Sequence, residues 1–413
     1  MPIDKTTQML FSCLKVSKQS FTNQNASETT PDEWKALLDL ADRQRLTPLL
    51  YDRLKEKLNV SVIPSVHLDR LKAAHRKNSM RNMHLFQRLH QILKVFATHE
   101  IPVIVLKGAF LAHAIYPSRS QRYMLDIDIL VQKAHLAQAA ELLIEMGYQP
   151  KGPLALDSVV ELLKHLPVFR MPNDPVPVEL HWTIASPRQF HDVSTDNFWD
   201  DLEVVPFGKG AMAGFCPEEL LLHLCIHASY QHLFFQGIRA FYDVDVTVRH
   251  FEARLNWRLI EQRAMERKWS KGVYLVLSLT KCYFDTPIPD AVLEALRPAT
   301  IPQPLIATVE HQMALKQGDS SRFSLNVVQL AGNQDLIGKA KLTMQRFFPA
   351  RREMALRYPA EANSWRIYLY YPIRGVTLLL RYCQKVWALW RGDRQIQSYA
   401  QRQLMLTEWL GLS

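Results

Sequence analysis

Residues 122–131 read RYMLDIDILV, and the middle of that run decides the fold. From Met124 to Val131 apolar residues alternate with aspartate, which is the period of a β-strand. On this reading Asp126 and Asp128 share one face, while Leu125, Ile127 and Ile129 point into a core. Two carboxylates side by side repel unless something cationic sits between them. A hard divalent ion bound by oxygen ligands is the usual answer.

Working outward, IPVIVL (101–106) is a short β-branched run that reads as a buried strand ending at Lys107-Gly108. AFLAHAIY (109–116) reads as a short helix closed by Pro117, and KAHLAQAAELLIEMGY (133–148) as an amphipathic helix with Gly147 as its C-cap. HLPVFRM (165–171) and PVELHWTI (177–184), parted by the turn-rich PNDPV, read as two antiparallel strands. Alternation then sets Glu179 beside His181, with Val178, Leu180 and Trp182 behind them.

Asp126, Asp128 and Glu179 on adjacent strands can hold two ions, clamp a triphosphate and lower the pKa of an attacking hydroxyl. Gly108, between strand and helix, lets backbone N–H groups approach phosphate oxygens. Lys107 and Arg122 can neutralise charge developing on those oxygens. Lys107 could equally cap the sheet, and Arg122 could pair with Asp126. His181 reads as well as a hydrogen-bonded core residue as it does as a substrate contact.

The KG…R-x-x-x-D-x-D-x-L-V…E-L-H-W arrangement (Lys107-Gly108, 122–131, 179–182) resembles the uncharacterised nucleotidyltransferase family of the DNA polymerase β-like superfamily. The resemblance implies that Asp126 and Asp128 bind both metals, and that Glu179 completes the site and helps to activate the acceptor hydroxyl. It implies Mg²⁺, two ions, as cofactor and ATP or another NTP as donor, with an acceptor the sequence does not name. One departure stands out: the superfamily usually has Gly-Ser at the phosphate turn, whereas Ala109 follows Gly108 here. That departure lends weight to a rival reading, a catalytically silent nucleotide-binding or assembly module.

The fold class expected is α+β: a small mixed-sheet nucleotidyltransferase core flanked by helical regions. The expected divisions are an N-terminal helical region (1–98), the core (99–185), a helical domain closing the cleft (186–335) and a basic helical tail (336–413). Thr30-Pro31-Asp32-Glu33 is a helix start, and a long helix is expected from about Val66 to His99. After Ser186 the chain is read as turning helical. His223 and His227, spaced i, i+4, read as packing or cleft residues more readily than as zinc ligands, and Arg239 with Asp243 as a helix ion pair.

Five scattered cysteines without a C-x-x-C pair argue against a disulfide scaffold or a cysteine zinc site, and for a reducing, cytoplasmic setting. The first residues lack the basic start and apolar run of a signal peptide, and no apolar run is long enough to span a bilayer. The net charge of +10 is concentrated: Lys339–Ser413 holds thirteen Lys or Arg against four acids. Arg374, Arg381 and Lys385 fall on one face of the tail, which would suit an anionic membrane surface. The preferred reading is a helix packing its apolar side on the protein body, with solvated basic residues. No specific nucleic-acid motif accompanies the charge.

Overall fold

The helix start at Thr30 forms as a full capping box. Thr30 Oγ1 accepts the Glu33 N–H at 3.3 Å, and the Glu33 carboxylate accepts the Thr30 N–H at 2.9 Å. The computed structural model describes residues 3–187, 196–314, 344–378, 380 and 394–412. Its N-terminal helices are α1 (Lys5–Leu14), α2 (Asn23–Glu28), α3 (Pro31–Arg43), α4 (Thr47–Lys57) and the long α5 (Ser65–Thr98). Leu85, Leu89, Ile92 and Phe96 recur every three or four residues along α5, so one stripe of it is buried.

Among the described residues seven strands follow: β1 (Ile104–Val105), β2 (Ile127–Leu130), β3 (Gln149–Pro150), β4 (Phe169–Arg170), β5 (Val178–His181), β6 (Leu202–Phe207) and β7 (Gly210–Phe215). They form one mixed sheet in the order β3-β4-β5-β2-β1-β7-β6. α6 (Lys107–Phe110) leads from β1 into a π-helical turn at Leu111–Ile115. α7 (Leu136–Glu145) links β2 to β3, and α8 (Leu156–Leu162) links β3 to β4.

The central pairing is β2 with β5. They run parallel, and the register sets Asp128 opposite Glu179 and Leu130 opposite His181. β4 joins β5 antiparallel, as the two-strand reading requires.

Two expectations are corrected here. Leu125 does not enter the core and is 42% exposed, because β2 begins only at Ile127 and alternation has no hold on residues before it. The chain past Ser186 does not go straight to helix. β6 and β7 form a hairpin turning at Gly208, whose φ is +62°, and β7 pairs parallel with β1. The sheet is therefore not confined to residues 99–185.

Helices α9 (Pro217–Ile226), α10 (Ile238–His250), α11 (Trp257–Glu266), α12 (Ser270–Phe284), α13 (Asp290–Leu296) and α14 (Gln303–Ala314) complete the body. One continuous apolar cluster runs through the N-terminal helices, the sheet, these helices and Leu406–Leu410. The architecture is α+β. Among the described residues no helix is long and apolar enough to cross a membrane.

The tail is helical at Arg351–Ala355, Trp365–Leu369, 370–378 and Arg394–Leu410. Arg374 is buried and its Nε donates to the Arg346 carbonyl at 2.9 Å, so it is not part of a solvated basic face. Arg381 and Lys385 lie outside the described residues. The apolar side chains of Trp365, Leu369, Ile373, Val376 and Leu380 are exposed, Leu380 to 77%. The expected packing of the apolar side onto the body does not hold at Ile373, Val376 and Leu380, and residues 381–392 of that stretch lie outside the described residues.

Candidate functional site

β2 delivers Asp128 and β5 delivers Glu179 into one cleft of about 600 Å³, lined on another side by the turn between α9 and α10. Asp126, Asp128, Glu179, Lys107, Gly108 and Arg122 all line it. His181 does not line the cleft. It sits behind the carboxylates, with Nε2 3.1 Å from Asp128 Oδ1 and 3.5 Å from Glu179 Oε2. Ionised carboxylates only accept hydrogen bonds, so this nitrogen carries the proton that holds them together. His181 Nδ1 is buried with no partner among the described residues.

Ligand atoms of Asp128, Glu179 and His181 lie within 4.8 Å of one another, and with Nε2 protonated the two carboxylates are the pair left to face a cation. Asp126, just before β2, is in the same cleft but not in that tight group. The three acids read from the sequence line one cleft, but in the tight group His181 stands where that reading had Asp126.

The electrostatics show three acids held together against burial and mutual repulsion. Burial pushes Asp126 up to about 6, and repulsion from Asp128 and Glu179 adds to it. Burial also acts on Asp128, but Lys107, with Nζ 3.6 Å away, and the His181 hydrogen bond hold it well below the usual carboxylate range. Glu179 is likewise lowered against burial by its contact with His181. Lys107 adopts φ +34° directly before Gly108, a conformation that costs free energy in a lysine. A Cβ on Gly108 would stand 3.0 Å from Arg122 Nη1, so glycine is what lets that guanidinium reach the turn.

The helix ion pair expected between Arg239 and Asp243 is replaced by a longer-range one. Asp243 takes two hydrogen bonds from Arg122, at 2.9 and 2.8 Å, and a third from the Tyr116 hydroxyl at 2.7 Å. Arg122 is therefore anchored by Asp243 and not by Asp126. Arg239 instead donates to the Tyr123 carbonyl at 2.9 Å.

His227 lines the cleft where α9 opens into a π-helical turn (His227–Gln231), and His223 is buried behind it. Burial and the nearby Lys107 and Lys164 keep both imidazoles neutral. Neither belongs to a metal-holding group among the described residues.

Sequence reading missed Lys164, His165, Gln231 and Arg45, all of which line the cleft. Lys164 donates to Gln231 and is lowered to about 7, by burial first and then by Lys107. His165 meets His181 through a β-bridge that extends the β5 edge, with ring centroids 5.0 Å apart. The sequence signal is slight: His165 opens the HLPVFRM stretch and Lys164 directly precedes it, and neither carries a motif.

A family model described as an uncharacterised nucleotidyltransferase matches residues 30–285, from the capping threonine of α3 to the end of α12. None of the curated proteins matches the chain.

Proposed function

Because this chain belongs to the uncharacterised nucleotidyltransferase family, we propose that it moves a nucleoside monophosphate from an NTP, ATP being the simplest donor, onto a hydroxyl-bearing acceptor. The family and the convergent acidic group together support a nucleotidyltransferase. The observation that carries the reading is the register of two parallel strands, which sets Asp128 against Glu179 with Asp126 at the strand entrance.

The donor set fits a divalent cation. The carboxylates of Asp128 and Glu179 converge where His181 holds them, and Asp126 is a third acid in the same cleft, its pKa raised by burial and by repulsion from the other two. Asp126, Asp128 and Glu179 would hold Mg²⁺, which when bound supplies charge neutralisation at the α-phosphate. His181 orients Asp128 and Glu179 by donating between them. Lys107 offsets charge on the phosphate side. Glu179, the most accessible end of the pair with Asp128, takes the acceptor proton. The acceptor oxygen then bonds to the α-phosphorus, the bond from that phosphorus to the β-phosphate bridge breaks, and pyrophosphate leaves.

The test is Mg²⁺-dependent pyrophosphate release from NTPs across a panel of acceptors. Wild type is expected to release it, and an Asp126→Ala, Asp128→Ala variant is expected to lose the activity by about a thousandfold or more. Equal behaviour of the two proteins would remove the enzyme reading and leave the nucleotide-binding module.

A further inference from the structure

We propose that Arg45 and Arg239 form an oxyanion subsite at the Asp126 end of the cleft, taking a phosphate or carboxylate group of a substrate. The inference rests on the nucleotidyltransferase reading for its assumption that the cleft admits such substrates, and on the following geometry for everything else.

Arg45 occupies an unusual place. α3 ends in a Schellman turn, with Leu46 N–H bonded to the Ala41 carbonyl at 2.8 Å and Arg45 N–H to the Asp42 carbonyl at 3.1 Å. The residue after the cap must then turn left-handed, and Arg45 does so at φ +57°. Glycine takes this position at no steric cost, whereas a side-chain-bearing residue forfeits about 1 kcal/mol there. A strained arginine where glycine would serve the fold points to a task for its side chain. That side chain faces the cleft.

Arg239 reaches the same place from α10. Tyr123 holds the two together: its carbonyl accepts from Arg239, and its ring carries the Arg45 guanidinium 5.4 Å from the centroid. The ring's other cation is Arg81, at 4.4 Å, which does not line the cleft. The nearby acid Asp243 is already taken by Arg122 and Tyr116, and among the described residues neither Arg45 nor Arg239 has an ion-pair partner.

Arg239 Nε is buried without a hydrogen-bond partner. Burial lowers the Arg239 pKa, and like charge from Arg122 and Arg45 lowers it further. Guanidiniums crowded in this way, in a cleft that must also accept a polyanion, form a preorganised oxyanion receptor. The N-terminal helices, through Arg45, thereby contribute directly to substrate recognition.

Binding of inorganic tripolyphosphate to the full chain in EDTA, followed by titration calorimetry, tests the subsite. Arg45→Gly relieves the left-handed strain, so it is expected to fold at least as stably as wild type and yet bind tripolyphosphate about tenfold more weakly or worse. Arg239→Gln should lose a similar factor, while Arg81→Gln stays within about twofold of wild type. Failure of wild type to bind, an unchanged affinity in Arg45→Gly, or an equal loss in Arg81→Gln would each overturn the proposal.

ATP and AMP separate the source of the anion. If Arg45→Gly erases the preference for ATP over AMP, the subsite holds the donor's polyphosphate tail. If both nucleotides bind as before while tripolyphosphate binding falls, it holds an acidic group of the acceptor. Arginine-dependent tripolyphosphate binding without any pyrophosphate release under Mg²⁺ would sink the enzyme reading and leave the subsite standing.

Discussion

Replacing Asp126 by Asn should stabilise the metal-free protein. In the fold this carboxyl titrates near 6 against an ordinary 3.8, because burial strips its water and Asp128 and Glu179 repel it. A carboxyl whose folded pKa is raised binds its proton more tightly in the folded chain. The cost of ionising it is therefore absent below the ordinary value, grows between the two pKa values, and is complete above about 6. The gap corresponds to about 3 kcal/mol, a large fraction of a typical folding free energy.

Asparagine keeps the shape and discards the charge. In urea denaturation with EDTA at pH 8, Asp126→Asn is expected to gain up to about 3 kcal/mol over wild type, and at about pH 4 to gain nothing. Millimolar Mg²⁺ should stabilise wild type by mass action and close most of that difference. A variant no more stable than wild type at pH 8 in EDTA would show that the acids do not crowd one another, and the cation site would lose its electrostatic basis.

Asp243→Ala should cost about 3–5 kcal/mol, because it strands the buried Arg122 guanidinium and the Tyr116 hydroxyl together. Chemical denaturation reads this, and a loss under about 1 kcal/mol would mean that Arg122 finds another partner. Gly237→Ala should destabilise by about 2 kcal/mol or more, since φ is +71° and the new Cβ would stand 1.9 Å from Gln44 Oε1. Adding Gln44→Ala should relieve the clash, and an unchanged melting temperature in the single variant would refute the close approach.

Much of the site was legible because its key contact is local to two short strands of clear period. Alternation within IDIL and VELH fixes which side chains share a face, and the strands' parallel pairing does the rest. Asp126 shows the limit of that logic. Strand bounds are set by pairing, and pairing starts at Ile127 opposite Val178, so Leu125 escapes the alternation and turns to solvent.

Spacing also misassigned Asp243. Position i, i+4 offered Arg239, but a bidentate partner 121 residues earlier in the chain satisfied it better. The β6–β7 hairpin was missed because Gly, Ala and Pro dilute its apolar signal, and only β1 beside it supplies the reason to be a strand. Lys164, His165 and Arg45 carry no motif. They enter the cleft through long-range docking that no local pattern encodes.

Gln44 has a consequence for anyone who would dissect the molecule. Its side chain plugs the space that Gly237 leaves open, accepting from the Ile238 N–H at 3.0 Å and donating to the Met313 carbonyl at 2.8 Å. One amide thus rivets three remote stretches of polypeptide at the lip of the cleft. Excising the sheet as a stand-alone fragment would pull that rivet and leave the α10 entrance loose, so the smallest self-sufficient piece has to begin ahead of Pro31 and reach past Met313.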